Sequence, residues 1–126
     1  MSPKRIQRKR TKGWRMPEGA IYVGRPSLWG NSWSLTEVRR AYGPLVAAEK
    51  AVRLYERELE SWVPMSDWAH LVSETRWEAE RQRQDASGAQ SMGEYARFAL
   101  RGRDLVCWCP LDQPCHADVL LELANR

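Results

Sequence analysis

The chain has one phenylalanine, two histidines and three cysteines among its 126 residues. No stretch of eighteen apolar residues occurs, so no membrane-spanning helix is expected. The N-terminus is basic but lacks the apolar run of a secretory signal, so export is not expected. Three cysteines cannot all pair within one chain. Without an export signal, reduced thiols in a cytoplasm are expected in place of a disulfide framework. Internal repeats and low-complexity segments are also missing. Acidic residues are absent from the first fifteen positions, which hold seven of the 20 basic residues. The rest of the chain has 13 basic against 16 acidic residues, so the formal charge of +4 belongs to the N-terminal segment alone. A hydrophobic content of 43% is ordinary for a globular protein of this length. The expected organisation is a basic arm over residues 1–19 and a single domain over 20–126, with a helical insertion at about 45–90.

The arm carries Arg5, Arg8, Lys9, Arg10, Lys12 and Arg15, with Trp14 beside the last. Clustered cations are the usual footprint of attraction to a phosphate backbone, and Trp14 suits either stacking on a base or anchoring on the domain. The plainer alternative is a solubilising tail.

Ala20-Ile21-Tyr22-Val23 is a short β-type run. It feeds a Gly- and Pro-containing loop that holds Arg25, Ser27, Trp29 and Asn31. Arg25 suits bidentate contact with phosphate, Trp29 suits stacking, and Asn31 suits a base or amide edge. The alternative is a turn whose Trp covers the core. Ser34-Leu35-Thr36-Glu37 is a capping box that predicts a short helix ended by Gly43. Pro44 then opens a second helix with a core-facing stripe of Leu45, Ala48, Val52, Tyr55, Leu59 and Trp62, stopped at Pro64. Ser66 is expected to cap a third helix, Asp67 to about Gln84, whose polar tail faces solvent. His70 on it is read as structural. A helix over Met92–Leu100 ends at Gly102. Arg103 to Trp108 reads as a strand, and Cys115 to Arg126 as a buried last helix. Alternating β and α elements predict a small α/β layer structure with few strands and a C-terminal strand–loop–helix.

That last unit holds every cysteine. On a strand, Cys107 and Cys109 share a face while Trp108 points away. Cys115, His116 and Asp118 fall in the first helical turn, where unpaired N–H groups favour negative charge. Three readings stay open. Cys107, Cys109, Cys115 and His116 form a Cys3His set suited to Zn²⁺, although the C-x-C spacing departs from the usual C-x₂₋₄-C. Alternatively, Cys109, Cys115, His116 and Asp118 form a catalytic site, with a helix-end thiolate and a His acid or base. The third reading is structural, with the thiols as small core hydrophobes.

Three stretches resemble a family of small bacterial and phage proteins catalogued as a domain of unknown function, DUF4326. They are Arg5–Arg10 with Gly13-Trp14-Arg15, then Tyr22–Asn31, and then Gly102–Cys109 with Pro114–Leu120. The resemblance covers both ends of the chain, leaves about 45–90 uncovered, and implies only that the two loops belong to one module. The chain departs from the family's pattern at Ala117, where Gly is usual, and at Ser32-Trp33, where Pro-Phe is usual. Together these readings predict one pocket formed by the Arg25–Asn31 loop and the Cys107–Asp118 junction, acting on a nucleotide or a nucleic-acid end. The rival expectation is a zinc-stabilised DNA-binding or host-interacting protein without catalytic activity.

Overall fold

A computed structural model describes residues 2–61 and 71–126. Trp62, Pro64, Ser66, Asp67, Trp68 and His70, to which the sequence assigned roles, lie outside the described residues. Among the described residues the fold is a small α/β structure of three parallel strands and five helices. In chain order these are β1 (Arg5–Gln7), β2 (Ile21–Tyr22), α1 (Leu35–Tyr42), α2 (Ala47–Glu58), α3 (Glu74–Ser87), α4 (Met92–Leu100), β3 (Leu105–Cys107) and α5 (His116–Ala124). The strand order is β1-β3-β2. Arg5 pairs with Leu105, and Ile21 pairs with the same residue on the other side. The central strand is therefore the wholly buried Leu105-Val106-Cys107, as a parallel sheet requires of its middle.

β1 corrects the expected arm. Arg5-Ile6-Gln7 was read as part of a solvated basic appendage, yet it is an edge strand of the sheet. The Leu105 amide donates to Lys4 O at 3.0 Å, and the Arg8 amide donates to Cys107 O at 2.7 Å. Three residues of ladder suffice because β3, already buried, needs a partner for its outward-facing amides.

Ser34 caps α1 as read. Ser34 Oγ accepts the Glu37 amide at 3.3 Å, and Gly43 ends α1 at φ +90°. The α2 stripe is displaced. Pro44, Leu45 and Val46 form the turn before the helix, which leaves Leu45 98% exposed. The helix starts at Ala47 and buries Ala47, Ala51, Tyr55 and Leu59. The two alanines let Val38 of α1 pack close. Of the expected third helix, the part before Leu71 lies outside the described residues; Val72 and Ser73 are not helical, and α3 is capped by Ser73, whose Oγ accepts the Arg76 amide at 3.2 Å. Its polar face is not wholly wet, because Glu80 is 5% exposed and pairs with Arg83. α4 spans Met92–Leu100, as the sequence predicts. It packs on α5, which packs in turn on β3 and β1, so Leu100, Leu105, Leu120 and Ala124 share one core with Tyr55 and Leu59.

Candidate functional site

Parallel pairing puts the carboxyl ends of all three strands at one edge of the sheet. Arg8 leaves β1 there, Val23 leaves β2 and Trp108 leaves β3. The N-terminus of α5 returns to the same edge through the loop after Cys109. Open α/β sheets place ligands in this position, because only there do several loops and a helix dipole converge.

The loop folds the three thiols together. Cys107 ends β3, Cys109 follows it by two residues, and Cys115 is the N-cap of α5. Their sulfurs all lie within 4.8 Å of one another, and the Cys107 and Cys115 sulfurs are 3.1 Å apart. Cys115 Sγ accepts the Ala117 amide at 3.5 Å, the thiol counterpart of a Ser or Asp cap. His116 is turned another way. Its Nε2 donates to Val23 O at 2.7 Å, and its Nδ1 is 3.6 Å from Cys115 Sγ. The buried imidazole thus ties the end of β2 to the start of α5, and it is not one of the three-sulfur group.

Arg5 is the member that sequence reasoning missed. It was expected to face nucleic acid from the arm, but its side chain is 8% exposed and points inward. Nη2 donates to the carbonyls of Pro110, Leu111 and Gln113 at 3.3, 2.8 and 3.0 Å, which holds the Cys109–Cys115 loop in place. Nε faces Asp118 Oδ1 at 3.5 Å. Nη1 is buried with no hydrogen-bond partner among the described residues. Burial alone would lower the Arg5 pKa, but the Cys115 thiol and the Asp118 carboxylate outweigh it and raise the value. The available signal was the alternation of Ile6 with polar neighbours, which the surrounding charge concealed.

The thiols divide the roles of acid and base. Hydrogen bonds from Cys107 and Cys109 stabilise the Cys115 thiolate, His116 adds to this, and together they outweigh burial, so Cys115 is pushed far below the usual thiol value. Hydrogen bonding to Cys109 and Cys115, with burial, pushes Cys107 up. For Cys109 the Cys107 contact acts downward, but the Cys115 contact and burial prevail and raise it. The cluster thus favours a thiolate at Cys115 and protonated thiols at Cys107 and Cys109. The unfolded chain, with thiols near about 8.5, keeps the Cys115 proton to higher pH than the folded chain does and releases the Cys107 and Cys109 protons at lower pH. The cysteine contribution to stability is therefore expected to rise with pH up to about 8.5 and to fall beyond it. Urea unfolding of reduced, chelator-treated protein across this range checks it. Cys115→Ser should lose the rising limb, and an unchanged limb in that variant would count against a Cys115 thiolate.

The outer layer of this edge is basic and aromatic. Arg8 lies 4.7 Å from the Tyr22 ring centroid and 5.1 Å from that of Trp108, and Arg10 lies 4.8 Å from Trp108. Trp108, just beyond the end of β3, is 38% exposed between the buried Cys107 and the half-buried Cys109. Lys9, Lys12 and Arg15 are exposed, and Trp14 is half-buried.

The Arg25–Asn31 loop is placed differently from expectation. Gly24 is required at its start, since a Cβ there would lie 2.5 Å from Tyr22 Oη. That hydroxyl donates to Arg25 O at 2.7 Å. Arg25 is exposed and Ser27 half-buried, within two successive turns. Trp29 is not a stacking platform open to a ligand. It is 5% exposed, its ring stacks on Tyr95 at 5.7 Å, and its carbonyl accepts the Tyr55 hydroxyl at 2.7 Å. Asn31 is committed to the fold, with Nδ2 donating to Ala51 O at 3.1 Å and Oδ1 accepting the Trp33 amide at 2.9 Å. Pro26, Ser27 and Trp29 line a groove of about 800 Å³ with Arg76, Glu80 and Phe98, and no residue of the Cys107–Asp118 segment lines it. The single pocket expected from sequence is thus two features. They are joined at Val23 by the His116 hydrogen bond.

No helix among the described residues is long and apolar enough to cross a membrane. No curated protein and no solved structure matches the chain significantly. The family described as a domain of unknown function, DUF4326, matches residues 6–126, a span that holds the thiols, the Gly24 loop and the basic strand from Ile6 onward, and the chain belongs to that family.

Proposed function

We propose that the protein binds and acts on a phosphate-bearing ligand, a nucleotide or a nucleic-acid end, at the carboxyl edge of its sheet. The observation that carries this reading is the pair Arg8 and Arg10 over Tyr22 and Trp108, next to the thiol-bearing junction. A guanidinium stacked on an aromatic ring keeps its N–H edge free to fork onto phosphate oxygens. Exposed Lys9, Lys12 and Arg15 extend the positive surface along a backbone. Cys109, the least buried of the three thiols, and the Cys115 thiolate supply the reactive groups beside it. Thiols that stay unpaired suit a reducing cytoplasm, which is the setting proposed.

Titration of a labelled single-stranded oligonucleotide, in parallel with mononucleotides, tests the reading. Arg8→Ala with Arg10→Ala is expected to weaken binding at least tenfold. The double variant should also shrink the slope of log affinity against log salt by about 1.4, since each lost phosphate contact on a single strand removes about 0.7. Preference for the oligonucleotide over mononucleotides identifies the nucleic-acid form of the ligand. An unchanged affinity and slope in the double variant would remove this edge from the function.

A further inference from the structure

We propose that Cys107, Cys109 and Cys115 bind one thiophilic divalent ion of the zinc class. Arg5 is its charge-balancing neighbour, and the fourth coordination position belongs to an exchangeable ligand. The proposal does not depend on phosphate binding at Arg8 and Arg10, but it gives the thiols named above as reactive groups the role of metal ligands.

The sequence spacing argued against such a site, because C-x-C on a strand cannot wrap an ion by itself. The fold supplies what the spacing lacks. The strand end, the residue beyond it and a helix N-cap bring three sulfurs within 4.8 Å of one another, with one pair at 3.1 Å. Tetrahedral Zn–S bonds of about 2.3 Å require sulfurs ~3.8 Å apart, a spacing these values bracket. Cys107 and Cys115 are buried and Cys109 is half-buried, so an ion here is covered on the protein side and reached from the Cys109 side.

A second, independent observation is Arg5. Its buried guanidinium uses Nη2 on the loop carbonyls and Nε on Asp118, and it leaves Nη1 without a hydrogen-bond partner among the described residues. A buried cationic donor is costly unless an anion faces it, and the half-exposed Asp118 meets only Nε, so the Cys115 side of the guanidinium is where further negative charge is favourable. Three thiolates around a dication carry one net negative charge, which one guanidinium balances. The Ala117 amide on Cys115 Sγ provides the N–H···S contact that outer partners of metal thiolates supply. His116 is not the fourth ligand expected from sequence, because its ring is anchored on Val23 O and lies outside the three-sulfur group. The open position therefore faces water or an incoming ligand, as in zinc sites that do chemistry.

The test is anaerobic titration of the reduced, chelator-stripped full chain with Co²⁺ and then Zn²⁺. The expected result is one Co²⁺ per chain, with thiolate charge-transfer absorption and tetrahedral d–d bands, displaced by one equivalent of Zn²⁺. Cys109→Ser, a change at the least buried position, should lose about a third of the charge-transfer intensity and weaken binding at least tenfold. Arg5→Met should weaken it about 10- to 100-fold while keeping the full thiolate intensity. His116→Gln should leave the spectrum unchanged, and the Arg8, Arg10 double variant should keep full metal binding. Absence of charge-transfer absorption in the wild-type protein, or intensity unaffected in Cys109→Ser, would overturn the proposal. Formation of a Cys107–Cys115 disulfide in a protein that takes up no metal when reduced would also overturn it.

Discussion

Trp29→Ala is expected to destabilise the protein by about 3–5 kcal/mol, the cost of deleting a large aromatic from a closed core. The indole is almost fully buried, stacks on Tyr95 with planes 22° apart and belongs to the main core with Tyr55, Met92 and Leu100. Little can collapse into the space, since Tyr55 is held by its own hydrogen bond to the Trp29 carbonyl. Against a total stability of about 5–15 kcal/mol, the loss leaves the variant marginal at room temperature. Trp29→Phe keeps most of the ring volume and should cost about 1–2 kcal/mol. Equilibrium urea unfolding measures both. A Trp29→Ala variant with nearly wild-type stability would instead place the indole on an open surface.

Arg5→Met is the second large effect, expected at about 2–4 kcal/mol. Methionine keeps the apolar stem but removes three charge-assisted hydrogen bonds, each worth about 1.5–3 kcal/mol in isolation. The three carbonyls belong to exposed loop residues and regain water, so the losses do not add. The half-exposed Asp118 contact contributes little to the total. Arg5→Lys should recover less than half, because one ammonium cannot fork onto several carbonyls and Asp118 together. Urea unfolding gives the energies. Hydrogen exchange at the Gln113 amide, which donates to Pro110 O at 3.1 Å, shows whether the loop has loosened. Wild-type stability in Arg5→Lys would mean that charge alone, without the fork, holds the loop.

What the sequence showed, and what it hid, follows from how far each signal reaches. The Ser34 helix cap, the helix over Met92–Leu100 and the strand-to-helix junction are local patterns, and the structure shows each of them. The start of α2 is also local, but two cues competed there. Pro44 is as compatible with a turn as with a first helical residue, and the turn exposes Leu45 and moves the stripe to Ala47 and Ala51. Arg5 was illegible for another reason. A three-residue edge strand inside a basic run has no pattern of its own, and its partner is a hundred residues away. Burial of Trp29 and Glu80 depends on Tyr95 and its neighbours, contacts that no spacing rule encodes. Convergence of the three thiols belongs to the same class. Spacing placed Cys107 and Cys109 on one face, but only the loop held by Arg5 brings Cys115 to them.

The central claim is that ligand meets the protein at the carboxyl edge of the sheet. It is tested most directly by an amide and indole chemical-shift titration of isotope-labelled full-length protein with a single-stranded oligonucleotide. The expected result is saturable shifts at the Trp108 indole N–H and at the amides of Arg8, Gly24 and Ala117, with the Trp29 indole unmoved. Shifts centred on the groove beside Arg76 and Phe98, with Trp108 unchanged, would contradict it.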